Sequence, residues 1–150
     1  MSTISGKVFQ MTTQTYGNNI FRTTIICIDE YADKVPVGRI YNAYYEDGVS
    51  FHGTIELLLI IDGMLEDMNW PQAYSSHRLF RTPEEVHAPE RTAVDTKEGK
   101  VGTFALRILF RQNASWQGSI AWHEGRQEES FRSVFEMLLL IDSALESESK

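Results

Sequence analysis

The sequence predicts an α+β domain: a mainly antiparallel sheet built from two repeated (β)ββα halves, with the two helices packed on one face. Three observations lead there. Residues 50–66 read SFHGTIELLLIIDGMLE and residues 130–146 read SFRSVFEMLLLIDSALE, so that Ser50, Phe51, Glu56, Ile61 and Asp62 return 80 positions later as Ser130, Phe131, Glu136, Ile141 and Asp142. The segments before each copy alternate like hairpin strands, which argues against parallel βαβ winding. A chain of 150 residues fits one domain, long enough to bury about 70% of the surface its unfolded form exposes. The halves span about 7–67 and 91–147, joined by 68–90.

Taken in order, Val8 to Thr15 is β-branched and alternating and reads as a strand. Tyr16-Gly17-Asn18-Asn19 is turn chemistry, since Gly and Asn tolerate the positive φ of tight hairpins. Phe21 to Asp29 returns as a strand, Tyr31 to Pro36 makes a longer loop, and Val37 to Tyr45 is the third strand. Ser50 then serves as the N-cap of the first helix. On that helix Phe51, Ile55, Leu58, Ile61 and Leu65 form one stripe at helical spacing, and Phe131, Phe135, Leu138, Ile141 and Leu145 form its counterpart; these stripes cover the sheet. A second stripe, Leu57, Ile60 and Met64 against Met137, Leu140 and Ala144, packs the helices on each other about a pseudo-twofold axis or makes a homodimer.

From Met68 to Lys100 the periodicity dissolves around Trp70-Pro71 and the prolines at 83 and 89, with short strands expected at His77–Thr82 and Thr92–Asp95. Gly102 to Arg111 is a strong strand with Phe104, Leu106, Ile108 and Phe110 on one face. Gln112 to Trp116 turns it, and Gln117 to Glu124 returns with Gly118, Ile120 and Trp122 inward. Gly118-Ser119-Ile120 repeats the place of Gly38-Arg39-Ile40.

Composition narrows the function classes. The net charge of −7 argues against a large phosphate-binding footprint, which needs clustered Lys and Arg. Arg78, Phe80 and Arg81 near Trp70 and Tyr74 have a basic-aromatic flavour, but Glu84, Glu85 and Glu90 follow at once. The aliphatic runs Leu57–Ile61 and Met137–Ile141 are too short to span a bilayer, and no apolar h-region follows Met1. The single cysteine, Cys27, has no intrachain partner and reads as a small buried hydrophobe, so a cytoplasmic protein is expected.

His52 and Glu56 lie four apart, a spacing two metal ligands use, but the second copy places Arg132 and Glu136 there, which is an ordinary ion pair. No metal or cofactor is expected. Asp62 and Asp142 fall inside the stripes drawn above, so each must meet a donor; a helix-to-sheet hydrogen bond that fixes register is the reading preferred over a carboxylate pair with acid/base chemistry. The most suggestive stretch is the turn after the strong strand, where Arg111, Gln112, Asn113, Trp116 and Gln117 gather a guanidinium, amides and an indole suited to a planar polar ligand or a peptide backbone. The competing reading is an Asx turn with Trp116 folded onto the core.

The expectation is therefore a small non-enzymatic binding or regulatory protein. It contacts a protein or a small polar ligand through its hairpin turns, with a homodimer through Leu57, Ile60, Met64, Met137 and Leu140 as one arrangement. A binder of nucleotides or single-stranded nucleic acid is the alternative, and an enzyme using Asp62 and Asp142 comes last.

Overall fold

Asp33 and Lys34 set the first hairpin. Both have positive φ (55° and 64°), the two-residue type I′ geometry whose twist matches that of paired strands. β1 (Thr23–Ala32) therefore runs straight into β2 (Val35–Asn42), and the longer loop expected over Tyr31–Pro36 is replaced by this tight turn. The computed structural model describes residues 23–43, 47–69, 71, 80, 91–92 and 98–148. The strand expected at Val8–Thr15 and the turn at Tyr16–Asn19 lie outside these residues, as do those expected at 77–82 and 92–95 apart from Phe80 and Thr92.

β3 (Gly48–His52) follows, then α1 (Thr54–Met68), the two-residue β4 (Arg91–Thr92), β5 (Gly102–Phe110), β6 (Gln117–Trp122), β7 (Gln127–Phe131) and α2 (Val134–Glu148). The protein is α+β. Among the described residues six strands of five residues or more form an antiparallel sheet, and β4 adds to the β3 edge, giving the order β4-β3-β2-β1-β5-β6-β7. In the register, Ile26 faces Ile40, Ile40 faces Val49 and Gly38 faces Phe51. On the other side Leu106 faces Ile120, Ile120 faces Glu129 and Gly118 faces Phe131. The seam joins β1 to β5, with Ile25 opposite Ala105. Gly38 and Gly118 are required by close approach: a Cβ would stand 1.8 Å from the Cys27 carbonyl oxygen and 1.9 Å from that of Arg107.

Side chains alternate across a strand, so Ile26, Ile28, Ile40, Val49, Phe51, Phe104, Leu106, Ile108, Ile120 and Phe131 share one face. All are buried and form one core with Leu57, Ile60, Ile61, Met64 and Leu65 of α1 and Met137, Ile141, Ala144 and Leu145 of α2. α1 packs nearest β3, and α2 lies over β5, β6 and β7.

This arrangement corrects several expectations. Ser50 caps no helix; it and its counterpart Ser130 sit in β3 and β7, strands that sequence reading merged into the helices because Phe51 and Phe131 match the helical period by coincidence. The helices start at Thr54 and Val134, and Glu56 and Glu136 reach back to accept the backbone N–H of His52 (2.8 Å) and Arg132 (2.7 Å). His52 and Arg132 precede the helices, so each pair with its glutamate bridges a strand-to-helix turn. The sheet-facing stripe also moves: Ile55 is 71% exposed and Phe135 68% exposed, while Leu57, Ile60, Met64 and Met137, assigned above to helix–helix or dimer contacts, are buried in the core. Phe110 turns outward because the β5–β6 register shifts between Ile108 and Phe110. Among the described residues no helix is long and apolar enough to cross a membrane.

Candidate functional site

The turn between β5 and β6 holds the residues singled out from the sequence. Asn113 and Ala114 both take positive φ (57° and 56°), which folds the chain back within four residues. Arg111 is only 4% exposed; its Nε donates to the Pro71 carbonyl and its guanidinium pairs with Glu66 Oε2 at 2.8 Å. It therefore ties the turn to the end of α1. Trp116 is equally buried and belongs to the core. The Gln112 N–H donates to Gln117 Oε1 and Gln117 Nε2 donates back to the Gln112 carbonyl, both at 3.0 Å, while Ser115 Oγ accepts the N–H of Val134 at 3.0 Å and so satisfies a free donor at the start of α2. Gln112 and Asn113 are exposed. The structure thus brings all five residues together, with the guanidinium and the indole directed to internal partners.

The two repeated aspartates occupy different surroundings. Asp62 is buried and partnered. Asp142 is partly exposed and accepts from the Tyr31 hydroxyl (2.5 Å) and from Lys34 Nζ (2.8 Å), and Lys34 also pairs with Glu146 (2.9 Å). α2 is pinned in this way to the β1–β2 turn. The Lys34 hydrogen bond, helped by Tyr31, holds the Asp142 carboxyl below the usual carboxylate range. Burial, then the hydrogen bond to Asp142, pushes the Tyr31 hydroxyl up to about 12. A carboxyl held ionised in this way has no proton to donate near neutrality.

On the face opposite the helices, Arg39 donates to both Asp29 oxygens (3.0 Å each), to the Tyr41 hydroxyl (2.9 Å) and to the Glu98 carbonyl (2.8 Å). Cys27 lies beneath this network, fully buried, and burial raises its thiol to about 11. A thiol so protonated is a poor nucleophile at neutral pH. Among the described residues no group of three His, Cys, Asp or Glu side chains is placed to hold a metal.

A cleft lies elsewhere, between α2 and the β6–β7 end of the sheet. Phe104, Ile120, Trp122, Leu140 and Ala144 line its apolar part, with Gln127, Glu129, Ser143 and Ser147 around them, and its volume is about 180 Å³. Trp122 also borders an open depression with Glu98, His123, Glu124, Arg126 and Glu128. Its indole Nε1 is buried and makes no hydrogen bond among the described residues, although a buried N–H normally finds an acceptor.

Sequence reading passed over this site. The signal was available in side-chain size: 80 positions before Ala144 stands Met64, and 80 positions before Glu129 stands Val49, both fully buried core residues. Where one end of the sheet is filled by a thioether and a valine, the other end carries a methyl group and an exposed carboxylate. No protein-family model, curated protein or solved structure matches the chain.

Proposed function

We propose that the protein is a small non-enzymatic binding protein of the cytoplasm, built from two (β)ββα halves, whose second half holds a ligand in the cleft between α2 and β6–β7. The duplication is supported by the strand register: the pairs Ile26–Ile40, Ile40–Val49 and Gly38–Phe51 become Leu106–Ile120, Ile120–Glu129 and Gly118–Phe131 on adding 80 to each number. The two helices, Thr54–Met68 and Val134–Glu148, obey the same offset.

The observation that carries the binding reading is the cleft of about 180 Å³ at a place the first half fills with Met64 and Val49. The cleft sets the apolar side chains of Phe104, Ile120, Trp122, Leu140 and Ala144 beside the polar ones of Gln127, Glu129, Ser143 and Ser147, and so suits a ligand with one apolar and one polar part. Such a ligand offers a compact apolar group and a carbonyl or similar acceptor. The geometry favours this site over the 111–117 turn, where Arg111 and Trp116 are engaged internally.

The test is a two-dimensional NMR titration with acetanilide, a phenyl ring carrying one amide. Saturable movement of the Trp122 indole N–H resonance, abolished in Ala144→Met, is the expected result. An unmoved Trp122 resonance, or equal binding by Ala144→Met, refutes the reading.

A further inference from the structure

We infer that the ligand of this cleft is an extended basic peptide that adds as a strand to the β7 edge and inserts one bulky apolar side chain beside Trp122. The inference rests on the cleft reading above and names its partner.

The sheet has two ends that differ. At one end β3 is paired by β4, through Gly48 with Thr92 and Val49 with Arg91. At the other end β7 is the last strand among the described residues, and within them it pairs only with β6. In an antiparallel strand every second residue turns its N–H and C=O away from its neighbour, so β7 presents outward backbone groups that no strand among the described residues pairs. Such an edge templates another strand unless something covers it.

The register connects this edge to the cleft. Glu129 faces Ile120 and Gln127 faces Trp122, so both project on the helix side, and both line the cleft. A strand laid against β7 therefore directs alternate side chains into the same space.

Volume decides what enters. The cleft measures about 180 Å³, below the roughly 300 Å³ at which small-molecule pockets begin and close to the roughly 150 Å³ apolar cavity that takes up a benzene. It holds one ring or one branched aliphatic group. The affinity missing from so small a site is supplied by main-chain hydrogen bonds along the edge, which is how strand addition works.

Charge selects the partner. Glu128 and Glu129 are adjacent on β7, exposed, on opposite faces of the strand, and neither forms an ion pair among the described residues. A second copy of β7 would set glutamate against glutamate, which disfavours self-pairing. A strand with Lys or Arg one and two residues from its apolar anchor meets Glu128 on one face and Glu129 on the other.

The experiment uses the peptide acetyl-Thr-Lys-Lys-Phe-Lys-Lys-Thr-amide, whose near-symmetric sequence serves either strand direction, with amide hydrogen exchange and NMR titration on the whole chain. The expected result is saturable binding that weakens as salt rises, with the outward-facing amides of β7 exchanging at least about tenfold more slowly in the complex. Replacing Phe by Ala in the peptide, or Ala144→Met in the protein, weakens binding at least about tenfold. A Glu128→Lys variant, changed on the face of β7 turned away from the cleft, loses affinity for the basic peptide while still binding acetanilide. A complex in which β7 stays unprotected, or equal binding of a peptide N-methylated at alternate backbone nitrogens on both registers, overturns the inference. If acetanilide enters the cleft but the peptide does not bind, the peptide assignment falls and the cleft reading stands; if neither binds, both fall.

Discussion

Substituting Ala144 by Met tests the central argument, because it predicts a sign opposite to that of most core enlargements. In a packed interior three added heavy atoms force strain of about 1–3 kcal/mol. Ala144 instead borders a cleft of about 180 Å³, and Met64 already places a buried methionine at the position 80 residues earlier. Burying the added atoms at about 0.8 kcal/mol per methylene-sized group is worth about 2.4 kcal/mol at most. Fixing the long side chain removes about 1–2 kcal/mol of rotamer entropy. The expected net effect is a stabilisation of about 0–1 kcal/mol, or an increase in Tm of about 0–4 °C for a chain of this length. The converse change, Met64→Ala, opens a cavity in a filled site and is expected to lose about 2–5 kcal/mol. Urea unfolding of both variants, with m-values equal to wild type, reads the difference. Destabilisation of Ala144→Met by about 1 kcal/mol or more, well into the overpacking range, refutes the claim that this end of the core is underfilled.

Two further outcomes follow from the pinned helix and the buried arginine. Asp142→Asn removes the anion that Lys34 and Tyr31 contact, and its partial exposure limits the loss to about 0.5–1 kcal/mol at neutral pH. Because the folded carboxyl lies below its unfolded value, the unfolded chain takes up its proton first as pH falls; the advantage of wild type is present above about pH 4 and disappears on acidification below it, as paired urea titrations will read. Arg111→Ala strips the Pro71 carbonyl and Glu66 of their donor, so a loss of about 1–3 kcal/mol is expected in urea unfolding, with acetanilide binding by the folded variant unchanged; a neutral effect on stability would return Arg111 to the ligand-binding role first read from its sequence context.

The fold class was legible because the longest elements carry unambiguous periods. β5 alternates over nine residues, and both helices carry apolar residues three and four apart over fifteen. The short strands β3 and β7 escaped because each runs into a helix after only one intervening glycine or an Arg-Ser pair, and the strand phenylalanines Phe51 and Phe131 fall in phase with the helices that follow. That one misplacement rotated the inferred helix faces, assigning Ile55 and Phe135 to the core and leaving Leu57, Met64 and Met137 for an interface. The β1–β2 turn was lost for a different reason: Asp33-Lys34 lacks the Gly or Asn that marks most type I′ hairpins, and register alone reveals it. The polar turn at 111–117 drew attention by composition, yet composition does not say whether a guanidinium meets a ligand or a carbonyl 40 positions away in the same chain.

The cleft was hidden by the same repeat that made the fold legible. Identities between two copies of a unit mark what the architecture needs in both, as with Gly38 and Gly118, whose missing Cβ atoms allow strands to approach. Differences mark where one copy departs from the packing solution open to the other. On the proposed duplication those departures gather at one place: Thr24 and Asn42, joined by a buried hydrogen bond of 3.1 Å, correspond to Phe104 and Trp122, while Val49 and Met64 correspond to Glu129 and Ala144. The first set closes on itself, polar group against polar group and methionine into the core. The second leaves an indole N–H unpaired, a carboxylate at the rim and space beside a methyl group. A buried N–H without an acceptor and open space beside a methyl group each cost stability. On the proposed reading, a ligand that brings an apolar group and positive charge meets both the space beside Ala144 and the Glu129 carboxylate, and for that reason the unfilled end of the sheet, and not the polar turn, is the first place to test for binding.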